Sequence, residues 1–176
     1  MEITIKIGTK NNLTEIENLY NMLNDYLSAN INFPGWKKGV YPTREHAKND
    51  IADGTLYIAY SQGSIVGSIV LNHEPEKDPD NGSWLIAAEH NQIFNVHRLV
   101  VHPAFLRRGI ATLLLEFADS MAKQMKMRTI RLDVYEGNTA AIKLYEKCGY
   151  TYIDTVDIGL GCYGLDWFRL YEKLVI

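Results

Sequence analysis

The stretch VVHPAFLRRGIATLLLEFA, Val100–Ala118, carries the reading on which the fold turns. An apolar run passes through Pro103 into Arg107, Arg108 and Gly109, and then directly into apolar residues at helical spacing. The first amides of a helix have no carbonyl partner within it, and together they carry about half a positive charge. A glycine just before that start lets the backbone change direction with no side chain in the way. The segment predicts strand, turn and helix, with a place for an anion at the turn. Gly109 could equally make only a tight turn, with Arg107 and Arg108 as solvated charges. The sequence has no Gly-x-x-x-x-Gly-Lys-Ser/Thr loop, and Gly109 has no glycine two residues earlier. A triphosphate loop and a dinucleotide fingerprint are thereby set aside.

On either side the chain alternates short elements. ITIKI (Ile3–Ile7) predicts a strand, and Leu13, Ile16, Leu19, Tyr20, Leu23 and Leu27 then fall at helical spacing. NFPGWKKGVYP reads as an aromatic-rich loop, and Thr43 as the cap of a short polar helix carrying His46 and Asp50. TLYIAYSQGSIVGSIVL predicts a hairpin turning at Gln62-Gly63. NHEPEKDPDNGSW predicts an exposed loop, and IFNVHRLVV a longer strand. The helix from Ile110 to about Lys126 is expected to bury Leu113, Leu114, Phe117, Ala118 and Met121. TIRLDVY and NTAAIKLYEKCG follow as strand and helix, and YTYIDTVDI and WFRLYEKLV as two further strands. Two successive strand–helix units imply a parallel strand pair with a right-handed crossover.

The second informative segment is EGNTAAIKLYEKCGY, Glu136–Tyr150. Asn138 and Tyr145 are seven residues apart, which places them within about 20° of each other on a helix. Asn138 alone reads as an ordinary helix cap and Tyr145 alone as a core aromatic. Taken together with LRRGIA (Leu106–Ala111), the segment resembles the GNAT superfamily of acyl-CoA-dependent N-acyltransferases. The downstream pattern of that family is met by Asn138, Ala141, Leu144, Tyr145, Lys147, Gly149 and Tyr150. Leu106 departs from it, standing where the family usually has Gln or Arg, and Ala111 replaces the second glycine, a common variant.

The resemblance implies an α/β fold. Its central sheet would be mixed but mostly antiparallel, of about seven strands with one parallel pair, flanked by about four helices and formed by a single domain over residues 1–176. It implies acetyl transfer from acetyl-CoA to a primary amine of a small molecule or peptide, by direct attack through a tetrahedral intermediate. The runner-up is a non-catalytic acyl-CoA-binding module. Leu106, Arg107, Arg108, Gly109, Ile110, Ala111 and Thr112 would seat the pyrophosphate, and the main chain of Leu99, Val100 and Val101 would pair with the pantetheine arm and hold the oxyanion. Asn138 would bond the pantetheine portion or order its helix start. Tyr145 would protonate the departing thiolate.

An amine nucleophile must lose a proton before it attacks, and His97 leads as base because an unperturbed imidazole titrates near ~6.5. Asn95, two residues earlier on the strand, could hold a relay water. Glu89 and Asp133 are the competing bases, and a core histidine satisfied by hydrogen bonds is an equal reading of His97. His102, before Pro103, reads as a turn residue. Acceptor walls are sought in Trp36, Tyr41, Tyr135, Tyr163 and Trp167, with Glu89 or Asp133 attracting a charged amine.

A formal net charge of -3 argues against nucleic acid or an acidic membrane surface as a partner. The absence of any apolar run of about 18 residues or of a leader-like start leads to the expectation of a cytoplasmic protein. A homodimer is compatible with the sequence. The five histidines and two cysteines have no ligand-like spacing, so no metal is expected.

Overall fold

A computed structural model describes residues 2–74 and 83–176. Most of the loop expected over Asn72–Trp84 lies outside the described residues. The chain divides into two compact units, Met1–Asn32 with Trp36–Leu71 and His97–Phe117, and Phe33–Gly35 with Asn72–Val96 and Ala118–Ile176.

The first unit is built on β1 (Thr4–Ile7), α1 (Leu13–Ala29), α2 (Arg44–Ala52), β2 (Leu56–Ser61), β3 (Ser64–Asn72) and the C-terminal half of β4 (Ile93–Val101). β1 pairs antiparallel with β2, and β2 with β3. The β2–β3 turn has Gln62 at φ 49° and Gly63 at φ 79°, the left-handed pair that matches the twist of a two-residue hairpin. Ala59 faces Gly67 whereas Tyr60 faces Ile65, so Val66 is an extra residue in the ladder. Its carbonyl accepts the His102 N–H at 2.9 Å. The expected stripe of α1 is buried at Ile16, Leu19, Tyr20, Leu23 and Leu27, packed with Ala47, Leu56, Ile58, Val70 and Val100. Each such side chain contributes about 1.5–3 kcal/mol by leaving water.

The second unit holds the N-terminal half of β4 with β5 (Thr129–Tyr135), α4 (Thr139–Lys147), β6 (Thr151–Val156) and β7 (Phe168–Leu174). β4 and β5 run parallel, with Ile93 opposite Thr129 and Asn95 opposite Arg131, and α3 (Ile110–Gln124) is the connection between them. β7 lies between β5 and β6 and is antiparallel to both. With β4 common to the two units, the described residues form a seven-stranded sheet in the order β1-β2-β3-β4-β5-β7-β6. It is a mixed sheet with four α-helices and one parallel pair, as expected. Among the described residues no helix is long and apolar enough to cross a membrane.

Of the stripe expected of α3, Leu114 and Ala118 are buried and Phe117 and Met121 half-buried, but Leu113 is not. Leu113 is 39% exposed, while Ile110, Leu114, Leu115, Ala118 and Ala122 are buried. Three consecutive leucines offer no polar contrast from which the helix phase could be read. The phase is set by β3, where a Cβ on Gly67 would lie 2.7 Å from the Val100 carbonyl and 3.1 Å from Ile110. That contact is possible only with glycine and draws the Ile110–Leu114 face inward.

A polar network unanticipated from sequence fixes one segment of the second unit. Glu172 is fully buried and accepts from Arg131 Nε and Thr129 Oγ1, each at 2.9 Å, and from the Leu85 amide. Arg131 also donates to the Ile86 carbonyl at 2.8 Å and stacks on Trp84. Removing one partner of a buried pair strands the other charge, so Arg131→Met is expected to cost about 3–5 kcal/mol in urea unfolding. Adding Glu172→Leu should restore part of that loss. A single variant as stable as wild type would show that the pair contributes nothing.

Candidate active site

In the first unit, β4 ends at Val101 and the chain turns through Pro103–Phe105, with His102 Nδ1 accepting the Ala104 N–H at 3.1 Å. His102 is thus a turn residue, as read. Leu106 is extended, Arg107 is left-handed at φ 61° and Gly109 at φ 82°. α3 then begins, with the Leu113 N–H donating to the Gly109 carbonyl at 3.0 Å. Ile110 is buried and anchors the helix start, whereas Arg107, Arg108 and Gly109 are exposed and Ala111 and Thr112 half-buried. Left-handed residues next to a helix start turn successive amides toward one side, the arrangement that cradles phosphate. A Cβ built on Gly109 meets no described atom within 4 Å, so a ligand can approach the backbone there. Arg108 leans over Phe105, 5.3 Å from its ring centre. An anion at this turn would be met by main-chain amides, since Leu106 supplies no side-chain donor.

Within β4, Arg98 stands at φ 44°. A left-handed conformation costs a non-glycine residue about 1–3 kcal/mol, and here it is held by side-chain bonds. Arg98 Nε and Nη2 reach the two Asp50 carboxylate oxygens at 3.0 and 2.5 Å, and Nη1 donates to Tyr41 Oη at 3.3 Å. Both partners of the ion pair are about nine-tenths buried. Burial pushes the Asp50 carboxyl above its ordinary value, against the pull of Arg98 and, more weakly, of His46 and His97. Tyr41 packs edge-on against Trp36 at 5.3 Å and His46 at 5.0 Å. His46 Nδ1 in turn accepts the Thr43 N–H at 3.1 Å, capping α2. The expected wall residues Trp36 and Tyr41 are therefore together, and Trp36 also rests on the core. His97 is buried and within electrostatic reach of Asp50. Leu99 and Val101 are half-buried and Val100 is buried.

Sequence reasoning missed Arg98 and Asp50. The available signal was an arginine inside an otherwise apolar strand, which needs a buried partner. That partner lies on a helix read only as polar.

In the second unit, Asn138 Oδ1 accepts the Ala141 N–H at 3.3 Å. It therefore orders the start of α4, the helix-capping alternative. Tyr145 is buried, 5.9 Å from the Tyr150 ring and 6.4 Å from the Tyr171 ring. Burial first, and then the Asp133 and Cys148 charges, push its phenol well above the ordinary value. Tyr145 thus holds its proton at neutral pH beside half-buried Asp133. Tyr135 lies against Phe168 at 5.8 Å and so close to Gly137 that a Cβ there would fall 2.4 Å from the ring. Glu89 is exposed and begins the turn His90–Gln92, its N–H donating to Gln92 Oε1 at 3.2 Å. Tyr163 and Trp167 are half exposed.

Residues 16–150 match the family model described as Acetyltransferase (GNAT) family. The Escherichia coli streptothricin acetyltransferase is 30% identical over 99 residues, 56% of this chain and 48% of its own. The chain thus spans about half the length of that curated relative. A GNAT-family acetyltransferase structure from Streptococcus agalactiae superposes with a TM-score of 0.75 at 22% identity, covering 98% of this chain and 95% of its own. The Salmonella typhimurium yncA structure, with its cofactor acetyl-CoA, gives a TM-score of 0.69 at 14% identity, covering 99% and 94%.

Proposed function

The chain belongs to the GNAT acetyltransferase family, and from that premise we propose that residues 1–176 act as an N-acetyltransferase moving an acetyl group from acetyl-CoA to a primary amine. The observation that carries this reading is the turn at Arg107–Gly109, with left-handed residues opening onto the start of α3. Acetyl-CoA supplies an activated thioester. The chain's own tasks are to seat the pyrophosphate over Leu106–Thr112, to offer β4 main-chain amides to a developing oxyanion, and to manage two protons. Tyr145, which retains its proton at neutral pH, is the donor to the departing sulfur. His97, buried near Asp50, is the base that takes the proton of the amine. Trp36 and Tyr41 form a wall for the acceptor. The name of the Escherichia coli relative supports a small-molecule acceptor.

Acetyl-CoA is expected to raise the melting temperature, because it binds only the folded chain, whereas NADH and ATP should do much less. Thiol release would then be followed over a panel of polyamines, arylalkylamines, amino acids and peptide N-termini, beside His97→Ala at several pH values. The wild-type rate should level off once the base is deprotonated, while that of the variant keeps rising as free amine accumulates. Profiles of the same shape and height would make His97 structural. Coenzyme binding with no turnover across the whole panel would defeat the catalytic reading.

A further inference from the structure

Arg98 occupies a position that stability alone does not account for. It is the one residue of Ile93–Val101 with a positive φ, and it stands immediately before Leu99–Val101, the segment whose amides the acetyl-transfer reading offers to the oxyanion. Its guanidinium is engaged on both edges, by the Asp50 carboxylate and by the Tyr41 hydroxyl. Asp50 comes from α2 and Tyr41 from the loop before it, and Asn24 of α1 donates to the Tyr41 carbonyl at 3.2 Å. Two separate pieces of the first unit thus converge on one side chain whose backbone is strained, and α1 braces one of them through Asn24.

We propose that Arg98 is a positioning residue for acetyl transfer: its two-point pairing with Asp50 and its bond to Tyr41 hold the left-handed turn in β4 and so aim the Leu99 amide. The inference rests on the acetyl-transfer reading and deepens it. A left-handed residue rotates the peptide that follows it out of the regular ladder. Relaxation of Arg98 to an extended conformation would return the Leu99 N–H to the direction of an ordinary strand. Planar, two-pronged pairing resists that rotation because both N–H···O bonds must break together, whereas a single ammonium contact can pivot. Tyr41 also packs against Trp36, so the aromatic loop and the strand amide share one anchor.

The test uses the full chain with Arg98→Lys and Asp50→Asn. Arg98→Lys keeps the charge without the fork, and Asp50→Asn keeps the shape and a carbonyl acceptor. Three quantities are measured: the acetyl-CoA Kd by calorimetry, kcat at saturating substrates, and the Leu99 amide resonance in 15N-labelled protein. A positioning role predicts a Kd within threefold of wild type, a kcat lower by tenfold or more, and a displaced Leu99 resonance. Wild-type kcat in a folded variant overturns the proposal. So does a loss of kcat that tracks loss of coenzyme affinity while the Leu99 amide stays in place, which marks structural support only. If Arg98→Lys does not fold, the isosteric Asp50→Asn carries the measurement. Should wild type acetylate no amine in the panel, the acetyl-transfer reading has failed, and the Leu99 resonance still decides whether the pair sets the strand.

Discussion

Gly109→Glu is expected to raise the Kd for acetyl-CoA by about a thousandfold and to abolish the coenzyme's stabilisation of the fold. Gly109 lies at φ 82°, and a side chain in that conformation costs about 1–2 kcal/mol. A carboxylate about 4 Å from a pyrophosphate charge adds about 4 kcal/mol at an effective dielectric near 20. At 1.4 kcal/mol per factor of ten, the repulsion alone amounts to about a thousandfold, and the conformational cost falls on the stability of the fold. Gly109→Ala separates the contributions, because it meets only the conformational cost, which the free and the bound fold share, and should therefore lower the stability of the fold while leaving the Kd nearly unchanged. A Cβ at this position touches no described atom, so both variants should retain the native circular dichroism spectrum. Calorimetric titration of each with acetyl-CoA is the measurement. A glutamate variant that binds normally would place the pyrophosphate elsewhere.

Tyr145→Phe is expected to lower kcat by about a hundredfold, within the range of ~10²–10⁴ attributed to a positioned acid, with little change in acetyl-CoA affinity. The low end is expected because water can protonate part of the released thiolate. Only the phenolic oxygen is lost, and the ring keeps its packing on Tyr150 and Tyr171. The pH dependence follows from the direction of the shift. Burial, followed by Asp133 and Cys148, raises the phenol above its ordinary value, which is near ~10. The acid form therefore persists through the neutral and mildly alkaline range, and loss of this proton should not depress the wild-type rate below about pH 10. Pre-steady-state rates taken where chemistry limits turnover provide the check. Equal rates for wild type and variant would remove Tyr145 from the reaction.

Much of this was legible along the chain because it depends on local order. The apolar spacing of α1, the Gln62-Gly63 hairpin and the strand–turn–helix at Val100–Ala118 each depend on residues a few positions apart, and each formed as read. The motif pair joining Leu106–Ala111 with Asn138–Tyr150 identified the family for the same reason, since both segments are contiguous. Asn138 was legible as a cap, and the alternative that it orders the helix start is what its bond to the Ala141 amide provides.

What the sequence could not decide was pairing over distance. Asp50 and Arg98 are 48 residues apart, and Arg131 and Glu172 are 41 apart. Nothing in the spacing of charged residues tells which will be buried together, because a buried charge is tolerated only where the fold has already brought its partner. The phase of α3 was likewise settled from outside the helix, by the close approach of β3 at Gly67. The sequence by itself therefore determined the element order, the family and the two motif-bearing helix starts. The tertiary structure alone decided that a strained arginine lies beside the β4 amides, held by a helix and a loop, because only the folded chain brings those separate segments to one side chain.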